Sequence, residues 1–132
     1  AGMTARIPRN ANGAQLDGIT RAPLWREGVD FAHGTGHGVG INVHEAPPGV
    51  SKLSTTQFEE GHVFSIEPGL YIEGVGGVRI ENLCTVVPDS EQADWLRVVP
   101  LTFSPLDERL IDDALLDAAE RDFLGKYASN KH

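Results

Sequence analysis

The chain has 132 residues, enough for one domain of ordinary size, and its 40% hydrophobic and 23% charged residues are typical of a globular protein rather than a long disordered segment. Nineteen acidic residues against eleven basic ones give a formal net charge of −8, which argues against nucleic acid and anionic membranes as partners, because both bind basic surfaces. No segment approaches the roughly 20 apolar residues of a spanning helix, so we expect neither partner.

The first half of the chain predicts one helix between irregular segments. Residues 1–12 are polar and are expected to form a loop or a frayed end. Asn12-Gly13 is a typical helix start, Pro23 is expected to break or offset the helix, and Gly28 is expected to end it. Residues 29–43 are predicted to be extended because they contain four glycines, and residues 45–54 are predicted to be a proline-rich loop.

The second half predicts strands followed by a helix. Residues 62–66 read as a strand, residues 70–87 as a hairpin with a glycine-rich turn, and residues 95–101 as a further strand. Apolar residues recur at helical spacing over residues 113–127, which predicts an amphipathic helix. The acidic residues between positions 89 and 122 are interpreted as a solvated surface.

Cys84 is the single cysteine, so the chain can form neither an internal disulfide nor a cysteine-based zinc cluster. This usage favours a reducing environment, and we expect a cytoplasmic protein. Cys84 lies in an apolar strand segment and is predicted to be a small core residue.

Four glycines and three histidines concentrate in residues 31–45. The glycines alternate, which fits neither a G-x-G-x-x-G dinucleotide motif nor a P-loop, and the residues after His44 lack the second histidine of H-E-x-x-H. In an extended chain, His33, Thr35 and His37 project from one face, and the glycines on the other face permit close approach of a strand or ligand. The histidines are therefore either metal ligands or ordinary core and surface residues.

Two glutamates lie in apolar strand segments, where an unpaired charge is costly. Glu67 ends one predicted strand and Glu81 lies within another. Glu81 could instead form an ion pair with Arg79 on the same face, and Glu67 could be a solvated residue at a strand end. A mixed set of histidine and carboxylate ligands suits manganese, cobalt, iron or zinc.

Four motifs occur in a fixed order along the chain: His33-Gly34-Thr35-Gly36-His37-Gly38-Val39-Gly40, Asn42-Val43-His44-Glu45, Ile66-Glu67-Pro68-Gly69-Leu70-Tyr71 and Gly77-Val78-Arg79-Ile80-Glu81-Asn82. In this order and spacing they resemble the Xaa-Pro aminopeptidase (aminopeptidase P) branch of the pita-bread metallopeptidases, and the resemblance extends over nearly the whole chain. It implies an α+β fold, in which a curved, mainly antiparallel sheet carries the site on its concave face and helices on its convex face.

The resemblance also implies a site with two divalent metal ions, commonly manganese, held by two Asp, one His and two Glu. His37, Glu67 and Glu81 match three of these metal ligands, and Glu67 also matches the general base. His44 matches a histidine that binds substrate and stabilises the tetrahedral intermediate. His33 matches a second substrate-binding histidine, and Arg79 matches an arginine that tunes the catalytic site or relays protons. The implied partner is a peptide with proline at its second position.

The two aspartates of the family precede its histidine motif, whereas the acids before His33 are Asp17, Glu27 and Asp30. We therefore expect residues 1–132 to be the C-terminal half of a metallopeptidase catalytic domain. On its own it is expected to bind at most one metal ion weakly, to have little activity and to self-associate as a homo-oligomer. Two alternatives remain: a non-catalytic pita-bread module that binds peptides or proteins, and a prolidase that cleaves dipeptides.

Overall fold

The computed structural model describes residues 1–129 and divides into two compact units, the first Ala1–Leu101 and the second beginning at Thr102. The first unit contains one helix, α1 (Gly13–Arg26), and eight strands. The strands are β1 (Arg6–Pro8), β2 (Gly36–Gly38), β3 (Glu45–Val50), β4 (Val63–Ile66), β5 (Gly69–Ile72), β6 (Gly76–Arg79), β7 (Asn82–Pro88) and β8 (Trp95–Pro100).

Six of these strands form an antiparallel sheet in the order β1-β8-β7-β4-β2-β3, and β5 and β6 form a separate antiparallel hairpin. The central strands contribute the core, in which Phe64, Cys84 and Val86 are wholly buried. This mixture of helix and antiparallel sheet confirms the predicted α+β class. The predicted strands at residues 62–66 and 95–101 are confirmed as β4 and β8.

Helix α1 begins where the sequence predicts. Asn12 caps it, and the side chains of Asn12 and Gln15 each accept a hydrogen bond from the other's backbone amide. The expected break at Pro23 is wrong, because the helix continues to Arg26. Pro23 removes only one hydrogen bond of the helix, and the amide of Glu27 still closes its last turn. Gly28 follows at φ +72°, the left-handed conformation that favours glycine after a helix.

Two predicted loops are strands in the structure. Within residues 1–12, β1 pairs with β8 and buries Ile7, a single apolar residue whose neighbours Arg6 and Pro8 gave no recognisable strand pattern. The segment Pro47-Pro48-Gly49 lies within β3, which pairs with β2 at the edge of the sheet. An edge strand tolerates proline because its outward side needs no amide donor.

Residues 29–43 are less extended than predicted. Strand structure is confined there to Gly36–Gly38, and the pairing with β3 shifts register between His37 and Gly38. Thr35 is wholly buried and His33 and His37 are half-buried, and residues 33–35 lie outside any strand.

The predicted hairpin is confirmed as β5 and β6, but its second arm is not one continuous strand. The arm leaves the two-stranded sheet after Arg79, passes through Ile80 and Glu81, and enters the main sheet as β7 beside β4. This change of sheet places Glu81 at a strand junction.

The second unit contains two 3₁₀ turns, Glu108–Leu110 and Asp113–Leu115, and helix α2 (Ala118–Ala128). The predicted helix over residues 113–127 therefore begins later, because Asp117 caps α2. Tyr127 is buried and donates a hydrogen bond to the carbonyl of Ser104. None of the helices in the described residues is long and apolar enough to cross a membrane.

Candidate metal centre

Three separate elements bring one histidine and two glutamates together. His37 lies in β2, Glu67 follows β4, and Glu81 lies between β6 and β7. Their candidate ligand atoms all lie within 4.8 Å of one another. His37 Nε2 is 3.4 Å from Glu67 Oε1 and 3.8 Å from Glu81 Oε1. His37 and Glu67 are largely buried, with side chains 21% and 14% exposed, and Glu81 is half exposed.

Glycine at position 36 permits the close approach of β2 to β4. A Cβ atom there would lie 1.8 Å from the carbonyl oxygen of Ser65, so no other residue fits without moving a strand. Because Gly36 precedes His37 and Ser65 lies two residues before Glu67, this contact holds two candidate ligands at a short separation. The close approach predicted for a glycine-lined face is confirmed here.

The orientation of the His37 ring suits a divalent cation. Its Nδ1 lies 3.0 Å from the carbonyl oxygen of Gly38, which can only accept, so the neutral ring carries its proton on Nδ1. The lone pair of Nε2 then faces two carboxylates, an unfavourable arrangement that a cation between them would make favourable. A backbone carbonyl bonded to the second ring nitrogen is also the usual support of a metal-binding histidine.

Ser65 connects two of the three candidate ligands, a role that the sequence analysis missed. Its buried hydroxyl accepts a hydrogen bond from the His37 amide and donates one to Glu67 Oε1, both at 3.0 Å. The sequence contains one signal for this contact, since Ser65 and Glu67 are two residues apart in a segment predicted to be extended, where such side chains share a face. The same hydroxyl therefore orients the backbone of one ligand and the carboxylate of the other.

Arg79 and His33 are joined through Tyr71, which the sequence analysis also missed. Arg79 Nε donates to Tyr71 Oη at 2.7 Å, and Tyr71 Oη is 2.8 Å from His33 Nε2. His33 Nδ1 lies 2.7 Å from the carbonyl oxygen of Gly34, so its Nε2 accepts the tyrosine proton. The hydrogen bond to Tyr71 raises the pKa of Arg79, desolvation partly opposes this, and charge interactions with Tyr71, Glu67 and Glu81 add to the increase.

Arg79 forms its ion pair with Glu67, whereas the sequence offered Glu81 as its partner. Its Nη1 lies 3.7 Å from Glu67 Oε2, whereas Glu81 lies against His37. His44 is exposed, and its ring centroid is 4.1 Å from that of His37. The structure thus brings all six predicted site residues to one region of the first unit.

The acids that precede His33 lie outside this cluster. Asp17 is buried against Arg21, and Asp30 pairs with the same arginine. Within the described residues, the metal-competent group consists of His37, Glu67 and Glu81. No aspartate of the described chain joins the three candidate ligands.

One histidine and two glutamates that lie in or beside an antiparallel sheet converge in a group whose nitrogen and carboxylate donors could hold a metal ion. The chain belongs to metallopeptidase family M24, which matches residues 1–88. This membership confirms the metallopeptidase resemblance that the four motifs carry.

Two curated relatives are similar to nearly the whole chain. A probable Xaa-Pro aminopeptidase P from Paracoccidioides brasiliensis (strain Pb03) is 42% identical over 137 aligned positions, which cover 96% of this chain and 22% of that protein. A probable Xaa-Pro aminopeptidase P from Verticillium alfalfae is 41% identical, with 94% and 22% covered. The chain therefore spans about a fifth of the length of these relatives.

Solved structures show the same fold. The X-prolyl aminopeptidase of Caenorhabditis elegans, described as a cytosolic enzyme with a di-nuclear active site, superposes with a TM-score of 0.89 at 37% identity, covering 97% of this chain and 22% of that one. An Xaa-Pro dipeptidase from Bacillus anthracis gives a TM-score of 0.68 at 38% identity, covering 80% and 28%. These similarities confirm the pita-bread assignment made from the motifs.

Proposed function

We propose that this chain supplies part of the catalytic centre of an Xaa-Pro aminopeptidase, which releases the N-terminal residue of a peptide whose second residue is proline. The observation that carries the proposal is the convergence of His37 Nε2 with the carboxylates of Glu67 and Glu81, with Ser65 and Gly38 fixing the orientation of the ligands. Such a donor set fits a divalent metal better than any solvated surface role.

His37, Glu67 and Glu81 are the proposed metal ligands of this chain. In the complete centre we propose two divalent ions, manganese by preference, because carboxylate-rich sites with a single imidazole suit this metal. When bound, such ions polarise a substrate carbonyl and make water a better nucleophile at neutral pH.

The remaining residues have roles that follow from their positions. Glu67 is the proposed general base because it matches that residue of the family motif, and the Ser65 hydroxyl and the Arg79 guanidinium orient its two oxygens. Arg79 offsets the negative charge beside Glu67. His44, exposed beside His37, is proposed to donate a hydrogen bond to a substrate oxygen, and His33 is proposed to bind the substrate at the rim.

The aminopeptidase proposal is preferred over a prolidase because the Caenorhabditis X-prolyl aminopeptidase covers more of the chain with the higher TM-score than the Bacillus dipeptidase. It is preferred over a non-catalytic binding module because a module has no need for the oriented ligand set around His37. We also propose a cytoplasmic homo-oligomer; the location rests on the description of the Caenorhabditis enzyme as cytosolic.

We further propose that the chain by itself hydrolyses such peptides slowly or not at all, since three candidate ligands support at most one weakly held ion. The test incubates the pure chain with Xaa-Pro peptides and Mn²⁺, and we expect no release of the first residue. Turnover that Glu67→Ala abolishes would contradict this part of the proposal.

A chimaera tests the activity itself. This chain replaces the corresponding segment of the Caenorhabditis X-prolyl aminopeptidase, whose fold it matches over 97% of its length. We expect the chimaera to cleave Xaa-Pro peptides in the presence of Mn²⁺, and Glu67→Gln to remove the activity while leaving the fold intact. A well-folded chimaera that binds peptides without cleaving them would favour the binding module instead.

A further inference from the structure

A buried ion pair on helix α1 lies outside the group of candidate metal ligands. On helix α1, both Asp17 oxygens accept from Arg21 Nε at 3.0 Å, and the two side chains are 3% and 8% exposed. A pair this deeply buried is a poor source of stability, because desolvation offsets most of the attraction. Stability alone therefore does not explain why this ion pair lies in the core.

Arg21 binds the segment that leads to strand β2. Its Nη1 donates to Asp30 Oδ1 and to the carbonyl of Phe31, and its Nη2 donates to the carbonyl of His33, all at 2.7 Å. The guanidinium also lies 3.8 Å from the centre of the Phe31 ring. One arginine on the helix therefore determines the path of the chain up to His33, in a segment with no regular hydrogen-bonding pattern of its own.

Thr35 continues this connection to a candidate metal ligand. Its hydroxyl donates to Asp17 Oδ1 at 2.5 Å, and its carbonyl accepts from the Glu67 amide at 2.7 Å. Thr35 is wholly buried and lies two residues before His37. A single residue thus joins the helical carboxylate to the backbone of Glu67 and to the start of the strand that carries His37.

We propose that Asp17, Arg21 and Thr35 are positioning residues that set the separation of His37 and Glu67 for metal binding. This proposal rests on the proposed function, because it takes those two residues to be metal ligands. None of the three positioning residues belongs to the metal-competent cluster; they act through the Thr35 carbonyl and the segment bound by Arg21.

Thr35→Val is the direct test, since it removes the hydroxyl with little change of volume. In amide hydrogen exchange of the full 132-residue chain, we expect the Glu67 amide to exchange about tenfold faster relative to the Val86 amide of the core. Thr35→Ser keeps the hydroxyl and should restore the exchange of wild type. Val98→Ala, a core substitution in β8, should accelerate both amides by a similar factor.

The second measurement is the affinity for Co²⁺ in the same variants. We expect Thr35→Val to weaken it about tenfold or more, and Val98→Ala to leave it unchanged. Arg21→Lys, which keeps the charge but loses the forked donors, should weaken it in the same direction and serves if Thr35→Val fails to fold.

Different results bear on the positioning role and on the proposed metal site. Equal acceleration of the Glu67 and Val86 amides in Thr35→Val, or unchanged Co²⁺ affinity despite faster Glu67 exchange, overturns the positioning role. A wild-type chain that binds no Co²⁺ shows that its three candidate ligands do not hold an ion by themselves, and the comparison of Glu67 and Val86 exchange in Thr35→Val then supports or overturns the positioning role by itself.

Discussion

At the scale of single residues, the hydroxyl of Ser65 is expected to support metal binding through Glu67. Ser65→Ala removes one oxygen and leaves Glu67 Oε1 without the donor that orients it. We expect the affinity of the chain for Mn²⁺ to fall about tenfold or more, measured by calorimetric titration. Ser51→Ala, whose hydroxyl bonds to Ser54, is the control and should bind as wild type does. Equal affinities in both variants would contradict this role.

Burial is expected to suppress the reactivity of the Cys84 thiol. Its side chain is wholly enclosed, and this desolvation raises its pKa to about 12. Since the thiolate is the reactive form, we expect Ellman's reagent to leave Cys84 unmodified in the folded chain at mildly alkaline pH and to modify it fully in denaturant. Rapid modification under native conditions would show that the core opens. The predicted core role of Cys84 is confirmed.

Asp89, which follows β7, is expected to make the stability of the folded chain decrease at acidic pH. The hydrogen bond from Arg6, followed by that from the Glu91 amide, holds the pKa of Asp89 below its ordinary value. Its contribution to stability is therefore present above the unfolded pKa of about 4 and is lost as the pH falls through the folded pKa.

We expect Asp89→Asn to lower the urea midpoint near neutral pH, and the difference from wild type to narrow as the pH falls below about 4. Urea titrations at several pH values measure both effects. A difference that stays constant down to the acid limit would mean that Asp89 acts through packing instead of charge.

At the scale of elements, the contact between β2 and β4 depends on glycine at position 36, which has no side chain. Gly36→Ala would place a methyl group 1.8 Å from the Ser65 carbonyl oxygen. We expect it to destabilise the fold by at least about 2 kcal/mol, because neither strand can move without disturbing the sheet. Thermal unfolding followed by circular dichroism measures the loss.

Gly18→Ala is the matched control for that substitution. Gly18 lies inside α1, and a Cβ atom added there would have no neighbour within 4 Å. Alanine should therefore stabilise the helix by about 0.5–1 kcal/mol. A similar loss of stability in both variants would mean that the glycines act through general backbone effects rather than through the strand contact.

Elements with strong local signals were predictable, and elements defined by their partners were not. Helix α1 follows from the capping residue Asn12, and the hairpin follows from its glycine-rich turn. Strand β1 exists because β8 lies beside it, and β3 contains two prolines that an edge position tolerates. Pairing with a distant segment leaves no trace in local periodicity, so the sequence predicts loops at both positions.

At the scale of the whole molecule, exposed apolar side chains indicate self-association. Large apolar residues are at least half exposed near the metal centre and on the hairpin: Ile41, Val43, Ile72, Val75 and Val78. We expect sedimentation velocity to show a dimer or larger species whose proportion rises with concentration, and Val75→Ser with Ile41→Ser to reduce it. A monodisperse monomer at every concentration would contradict the expected homo-oligomer.

The sequence by itself determined the chemistry of the candidate site, because the motifs around His37, Glu67 and Glu81 specify both the residue types and their order along the chain. It also indicated that Gly36 permits a close approach. Only the tertiary structure decided how Asp17, Arg21, Thr35 and Ser65 support that site, because their hydrogen bonds join a helix, a loop and two strands. Such bonds depend on distances between segments far apart in sequence, which the fold alone fixes.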